Sequence, residues 1–353
     1  MLILKKISPK PRHCLLAVAL IIVWLFQFID GAGTWYAQQL YPFIGKFLNG
    51  LSGLVGFCVS DMFYLLLIVL LLLYPVTALF LLKLKMRRVL GRIAETALWL
   101  YVWFYLGWGI NYSQPNFYQR TRIEPVAFSE TQLSAFIEEY VEALNAAYVP
   151  VSQPSEEIIR QEVLQGYEAI WQQTGMNRPF VQKPRVKTMI ITPLASKVGV
   201  TGSMGPFFGE FTLNGDVLPV DYPATYAHEL SHLLGIANEG EANFYAYLTC
   251  IRSEVKEIRF SGLLSIFHHV MNNAYALLGE NTYASIINKV KPEIRQLVHD
   301  RSVYWQEKYS PTIGKIQDKL YDLYLRGNRV EGGRKSYSQV VGLILSTLSF
   351  SRP

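Results

Sequence analysis

The chain has 353 residues, of which 51% are hydrophobic and only 17% charged, and its net charge is +6. That length allows a sizeable core plus further elements, and the apolar share is high for a soluble protein of this size. The basic residues border apolar runs instead of forming a phosphate-binding surface, which argues against a nucleic-acid partner. Cys14, Cys58 and Cys250 show no CxxC or similar spacing, which argues against a disulfide scaffold or a zinc ribbon.

Lys5, Lys6, Lys10 and Arg12 lead into the first uncharged run, residues 14–29, CLLAVALIIVWLFQFI. A basic leader of this kind also fits a secretory signal, but the cleavage pattern in DGAGTW is weak and two further apolar runs follow, so a retained span is expected over about 14–34. Residues 62–82, MFYLLLIVLLLLYPVTALFLL, carry no charge and are long enough to cross a bilayer core of ~30 Å. A third span is expected over about 94–112, where Trp99, Trp103 and Trp108 suit a bilayer boundary. Lys83, Lys85, Arg87, Arg88 and Arg92 make the second loop basic, whereas the first loop holds Lys46 alone. The basic bias places the N-terminus in the cytoplasm and residues 113–353 outside it, in a multi-pass protein of the cell membrane. Were one run a buried core helix instead, the later domain would change sides.

From Ser113 the composition is that of a globular domain. SETQ at 129–132 is a capping box that opens a helix reaching about Ala147. Pro154 and Ser155 open a second helix, which ends at Gly175. Residues 185–192 and 208–213 read as strands, with Asn214 and Gly215 as a hairpin-type turn. After Asp221 nearly everything reads helical, including a long stretch at 303–326 and a last apolar helix at 337–350. The expected fold class is therefore α+β: an N-terminal bundle of three transmembrane helices (residues 1–112), then a mostly helical domain with a small β-sheet.

Residues 225–248 read TYAHELSHLLGIANEGEANFYAYL. Positions four apart share a helix face, so His228 and His232 can offer imidazole nitrogens to one point, as a tetrahedral Zn2+ requires. Glu229 reaches the position where water would sit and can act as its general base; this is the H-E-x-x-H pattern. His-Glu pairs also occur on solvated helix faces, but Ala227, Leu230, Leu233 and Leu234 give this helix an apolar side, and buried imidazoles need compensation. Gly235 then breaks the helix. Asn238 stands where metzincins carry a third histidine, and an amide is a poor zinc ligand. A second helix starting near Glu239 puts Glu239 and Asn243 on one face, so Glu239 is favoured as third ligand, with Asn243 orienting a histidine. Glu241 points about 200° away and is the alternative.

EGEANF, with Glu239, Ala242 and Asn243, resembles the E-x-x-A-D or E-x-x-A-N helix of gluzincin-type peptidases, in which the first glutamate is the third ligand. Together with WGINY (108–112), GPFFGEFTLN (205–214), the HELSH-to-EANF block and YLRGN…GGRKSYSQVV (324–341), it makes the chain similar to the bacterial domain of unknown function 3810 family. That resemblance implies a zincin-like domain outside the membrane, on an anchor. The chain departs from better-known gluzincins in the six residues between His232 and Glu239 and in Asn243, which replaces an aspartate.

Zincins bind substrate along an edge strand, for which Phe208, Glu210 and Phe211 are the candidates; Glu210 lines the cleft or faces solvent. Tyr222, Tyr245, His268, His269, Arg326 and Tyr337 are equivalent candidates for an oxyanion donor. Asp61 is expected at the interface at the start of the second span. The expected activity is metal-dependent hydrolysis of a peptide or protein outside the cytoplasm. Its alternatives are a non-catalytic membrane protein with a structural or sensory metal site, and an intramembrane protease. The polar runs flanking HELSH argue against the last.

Overall fold

A computed structural model describes residues 10–126, 129–328 and 339–347. Helix α1 (Pro11–Phe28) starts at a proline that needs no intrahelical partner for its missing N–H. A short helix α2 (Ala32–Trp35) and a π-helical turn (Tyr36–Leu40) lead into α3 (Tyr41–Ser52). Helix α4 (Val59–Val76) continues through a π turn to Leu81, and α5 (Met86–Gly107) runs back along it, setting Trp103 against Phe63. The N-terminal ends of α1 and α5 are tied by the ion pair of Arg12 with Glu95.

Two helices, α1 and the stretch Val59–Leu81, are long and apolar enough to cross a membrane, instead of the expected three. The third run does form a helix, but α5 begins with Arg87, Arg88, Arg92 and Glu95. Only its part after Glu95 is uncharged, a length of roughly 18 Å at 1.5 Å per residue. Along α4 the side chains of Leu66, Ile68, Leu70 and Leu72 are more than half exposed, so nothing among the described residues covers this face.

A 3-10 turn (Gly109–Ser113) and α6 (Phe117–Thr121) join the bundle to the later helices. Ser129 and Gln132 cap α7 (Glu130–Ala147) reciprocally, as the capping box predicts. Ser155 caps α8 (Glu156–Thr174), which ends at Gly175 in the left-handed conformation. The sheet has the order β1-β3-β2. Strand β1 (Val186–Thr188) lies parallel to β3, and a helix α9 (Thr192–Lys197) leads to β2 (Gly202–Gly205), which is antiparallel to β3 (Glu210–Leu213). β1 is shorter than expected because Asp61, at the start of α4, accepts the N–H groups of Ile190 and Ile191 and turns the chain away. The hairpin turn lies between β2 and β3, not at Asn214 and Gly215; Asn214 instead donates to the Val200 carbonyl and the Ser196 hydroxyl.

Helices α10 (Tyr222–Leu233) and α11 (Glu239–Cys250) form the centre of the main core, with α12 (Lys256–Ser265) and α13 (Phe267–Lys289) around them. The helical stretch expected at 303–326 is divided between α14 (Pro292–Lys308) and α15 (Pro311–Gly327), because Pro311 cannot continue α14. The last helix, α16 (Val340–Ser346), is shorter than expected, and the ends of the 337–350 reading lie outside the described residues.

The expected substrate strand is β3, and the structure corrects this. β3 is the central strand, so its backbone is paired on both sides. Phe211 is buried against Tyr226, and Phe208 packs on Phe63 and Trp103. Glu210 neither lines a cleft nor faces solvent. Its carboxylate pairs with Lys187 at 2.7 Å and accepts from the Ser60 N–H, while Lys187 also donates to the Ser52 carbonyl. This buried pair clamps the sheet to α3 and α4. Breaking such a pair leaves a buried unmatched charge, at a cost of about 3–5 kcal/mol. Glu210→Ala is therefore expected to lower the unfolding free energy of the full chain by that order, read from denaturant titration, and adding Lys187→Met should recover part of the loss.

Candidate metal centre

Pro223 near its first turn and the apolar side of Ala224, Ala227, Leu230 and Leu233 make α10 a core helix. Its last carbonyls have no partner within the helix. Side chains from four other segments supply them: Trp108 Nε1 donates to His232 O at 2.9 Å, Tyr41 to Leu233 O at 2.7 Å, Asn177 to Leu234 O at 3.2 Å and Gln114 to Gly235 O at 2.8 Å. Gly235 turns the chain at φ 98°, a conformation that a side chain would strain. Asn238 then caps α11, accepting from Glu241 N at 2.9 Å.

This turn brings His228, His232 and Glu239 together. His228 Nε2 lies 3.1 Å from His232 Nε2 and 3.2 Å from Glu239 Oε2, and His232 Nε2 lies 3.5 Å from the same oxygen. Tetrahedral coordination with bonds of about 2.0–2.2 Å places neighbouring ligand atoms about 3.3–3.5 Å apart, so the triangle is close to the size of a tetrahedral metal site. The other nitrogens are engaged. His232 Nδ1 donates to Ile236 O at 2.7 Å, and His228 Nδ1 faces Asn243 Oδ1 at 2.9 Å. Each imidazole so oriented turns its Nε2 toward the other and toward the Glu239 carboxylate, an arrangement able to hold a positive charge, proton or metal. Burial lowers the His232 imidazole, but the adjoining Glu239 carboxylate more than reverses this and holds it up at about 9. Burial likewise opposes ionisation of Glu239, and His232 and His228 overcome it, keeping the carboxyl well below its usual range.

Glu241, the alternative ligand, points elsewhere. It accepts from Phe117 N and pairs with the buried Arg120, which also donates to Tyr245. Glu229 stands beside the triangle on the floor of a cleft of about 1080 Å³. Burial raises its carboxyl above the ordinary value, against the lowering pull of His228 and His232. Its carboxylate rests on Gly202 of β2, where a Cβ would come within 2.4 Å of Oε1. No larger residue fits there.

Of the oxyanion candidates, Tyr222, Tyr245, His268, His269 and Arg326 are absent from the cleft lining, and Tyr337 lies outside the described residues. The tyrosines that do line it are Tyr64, Tyr112, Tyr321 and Tyr324. Tyr321 donates to Glu239 Oε1 at 2.6 Å, fixing the carboxylate from the far side. None of these is among the residues the sequence singles out, although Tyr112 and Tyr324 fall within the WGINY and YLRGN stretches that carry the family resemblance. Tyr321 lies one helical turn before Tyr324 in a segment without any local motif.

Partners of this kind hold a ligand imidazole in one orientation, and losing one typically costs 10–100-fold in metal affinity. Asn243→Ala is expected to weaken Zn2+ binding by roughly that factor, measured by competition with a chromophoric chelator, with the fold retained.

Residues 36–345 match the family described as Protein of unknown function (DUF3810). No curated protein and no solved structure shows a detectable match to the chain. The family match takes in α3, α4 and α5 as well as the candidate metal centre, so the helices at the apolar end and the site fall within one family match. The protein is a member of the DUF3810 family.

Proposed function

We propose that the chain is a membrane-anchored, zinc-dependent peptidase. The observation that carries this is the convergence of two imidazole nitrogens and one carboxylate oxygen at coordination spacing, with Glu229 beside them in an open cleft. Among the described residues three groups converge, not four, and a site with three protein ligands leaves a position for water and substrate, whereas structural sites are closed. His228, His232 and Glu239 would hold the ion, which when bound supplies Lewis acidity and lowers the pKa of water to about 7.

The chain's own groups do the rest. Glu229 accepts a proton from the attacking water and returns it to the leaving amine. Burial of its carboxylate against Gly202 keeps that proton transfer away from bulk solvent. The N–H and C=O groups of edge strand β2 can pair with an extended substrate, with Gly202, Ser203 and Met204 lining the cleft. Tyr321 and Asn243 orient Glu239 and His228.

Glu229→Gln is expected to keep about one zinc per chain, by elemental analysis, while peptide hydrolysis falls by ~100-fold or more, the scale of a lost general base. Joint loss of metal and activity would give Glu229 a folding role instead. Hydrolysis that survives in a metal-retaining Glu229→Gln chain would end the proposal.

The membrane reading rests on the apolar, uncovered faces of α1 and α4. We place their basic ends, with Lys85, Arg87 and Arg88, in the cytoplasm and the metal centre outside. The short uncharged part of α5 completes the bundle, with its arginines at headgroup level. In intact cells lacking Cys14, an impermeant maleimide is expected to label Glu254→Cys, whose side chain is exposed, and to leave Lys85→Cys unlabelled. The reverse pattern would put the site in the cytoplasm.

A further inference from the structure

The cleft is two-sided. One wall is aromatic and comes from the apolar helices: Tyr64 of α4, and Phe104 of α5 with Trp108 just beyond it. Onto that wall folds the β2–β3 turn, whose Phe207 ring lies 5.1 Å from Phe63, 6.1 Å from Tyr64, 5.4 Å from Trp103 and 6.3 Å from Phe104. The rest of the lining is mainly polar, with Thr225, Ser265, Gln317 and the paired Asp221 and Arg301, and with Trp305 beside them. A soluble peptide pocket has no need of a wall built from two membrane-directed helices.

Strand β2 joins the two regions. Gly202, its first residue, touches the Glu229 carboxylate. Gly205, its last, lies so close to α4 that a Cβ there would come within 2.0 Å of Ser60 Oγ. The strand therefore runs from the general base to the first turn of α4, a distance of roughly 10 Å at about 3.3 Å per residue. A chain paired along β2 has its scissile bond at one end and meets the aromatic wall at the other. That wall continues into the lipid-directed side chains Met62, Leu65 and Leu66, all exposed. Aromatic rings at such a boundary suit a chain that is leaving the apolar phase.

We infer that the substrate is a protein anchored in the same bilayer by an apolar segment, and that it is cut in the extended stretch within about four residues of that anchor, the reach of β2. This rests on the peptidase reading and on α4 lying in a bilayer. The apolar end of the substrate leaves the membrane between Tyr64, Phe104 and Phe207, and its extended part pairs with β2 as far as Glu229.

Full-length, zinc-loaded protein in liposomes is given three synthetic probes of randomised sequence. One is joined to a poly-leucine span of ~20 residues through a spacer of about six residues, one to the same span through about 25, and one has no span; both spacers exceed the reach of β2. Because both anchored probes share the bilayer, co-concentration alone cannot separate them. Cleavage in both is expected within about four residues of the span, mapped by mass spectrometry, with at least a tenfold rate advantage over the free probe. Phe207→Ala, with zinc content unchanged, should erase this positional preference. Cuts spread evenly along the long spacer, or equal rates on the free probe, overturn the inference while leaving the peptidase reading intact. If no probe is hydrolysed, the peptidase reading fails, and crosslinking decides the inference separately. A photoreactive residue introduced at Phe207 in the Glu229→Gln chain is expected to capture the span-proximal part of the anchored probes, and capture of the free probe alone overturns it.

Discussion

The end of α10 sets the terms for the rest of the molecule. A helix that stops inside a core leaves carbonyl groups that water cannot reach, and each must find a donor. Here the donors come from α3, from the residue that follows α5, from the 3-10 turn region and from the loop after α8, through Tyr41, Trp108, Gln114 and Asn177. These bonds fix His232 and the Gly235 turn in space. They also bind the helices nearest the apolar end of the molecule directly to α10, so those helices and the candidate site are one packed object.

The second constraint is charge. Two imidazoles locked by their Nδ1 atoms and a carboxylate locked by Tyr321 direct electron pairs at a common point. In a buried setting such a point is stable only around positive charge, whether proton or metal. The surroundings keep other charges from interfering: Glu241 is neutralised by Arg120, Glu210 by Lys187 and Asp221 by Arg301. Each of these pairs also joins two distant parts of the chain, so electrostatic isolation of the centre and assembly of the fold are achieved by the same contacts.

Glycine governs how closely backbone approaches the chemistry. Gly202 lets β2 lie against Glu229, and Gly205 lets the same strand touch α4. A strand of four residues thereby spans the interval between Glu229 and an apolar helix, along a cleft lined by both polar and aromatic groups.

Much of this was legible in the sequence. The capping signals at Ser129 and Ser155 are local chemistry, satisfied by atoms a few residues away, and α7 and α8 form where they predict. The i, i+4 spacing of His228 and His232 follows from helix geometry alone, and so does the choice of Glu239 over Glu241 once Asn238 starts α11. Charge within α5 was equally visible, but its uncharged tail was read without its basic head, and two long apolar helices stand where three were expected. What only the tertiary structure decided is which distant groups meet. Glu210 is paired with Lys187 because β1 and β3 lie side by side, β2 and not β3 is the edge because of strand order, and Tyr321 reaches Glu239 across 82 positions. Local spacing fixes directions within one helix, whereas partners brought together by core packing leave no periodic trace in the chain.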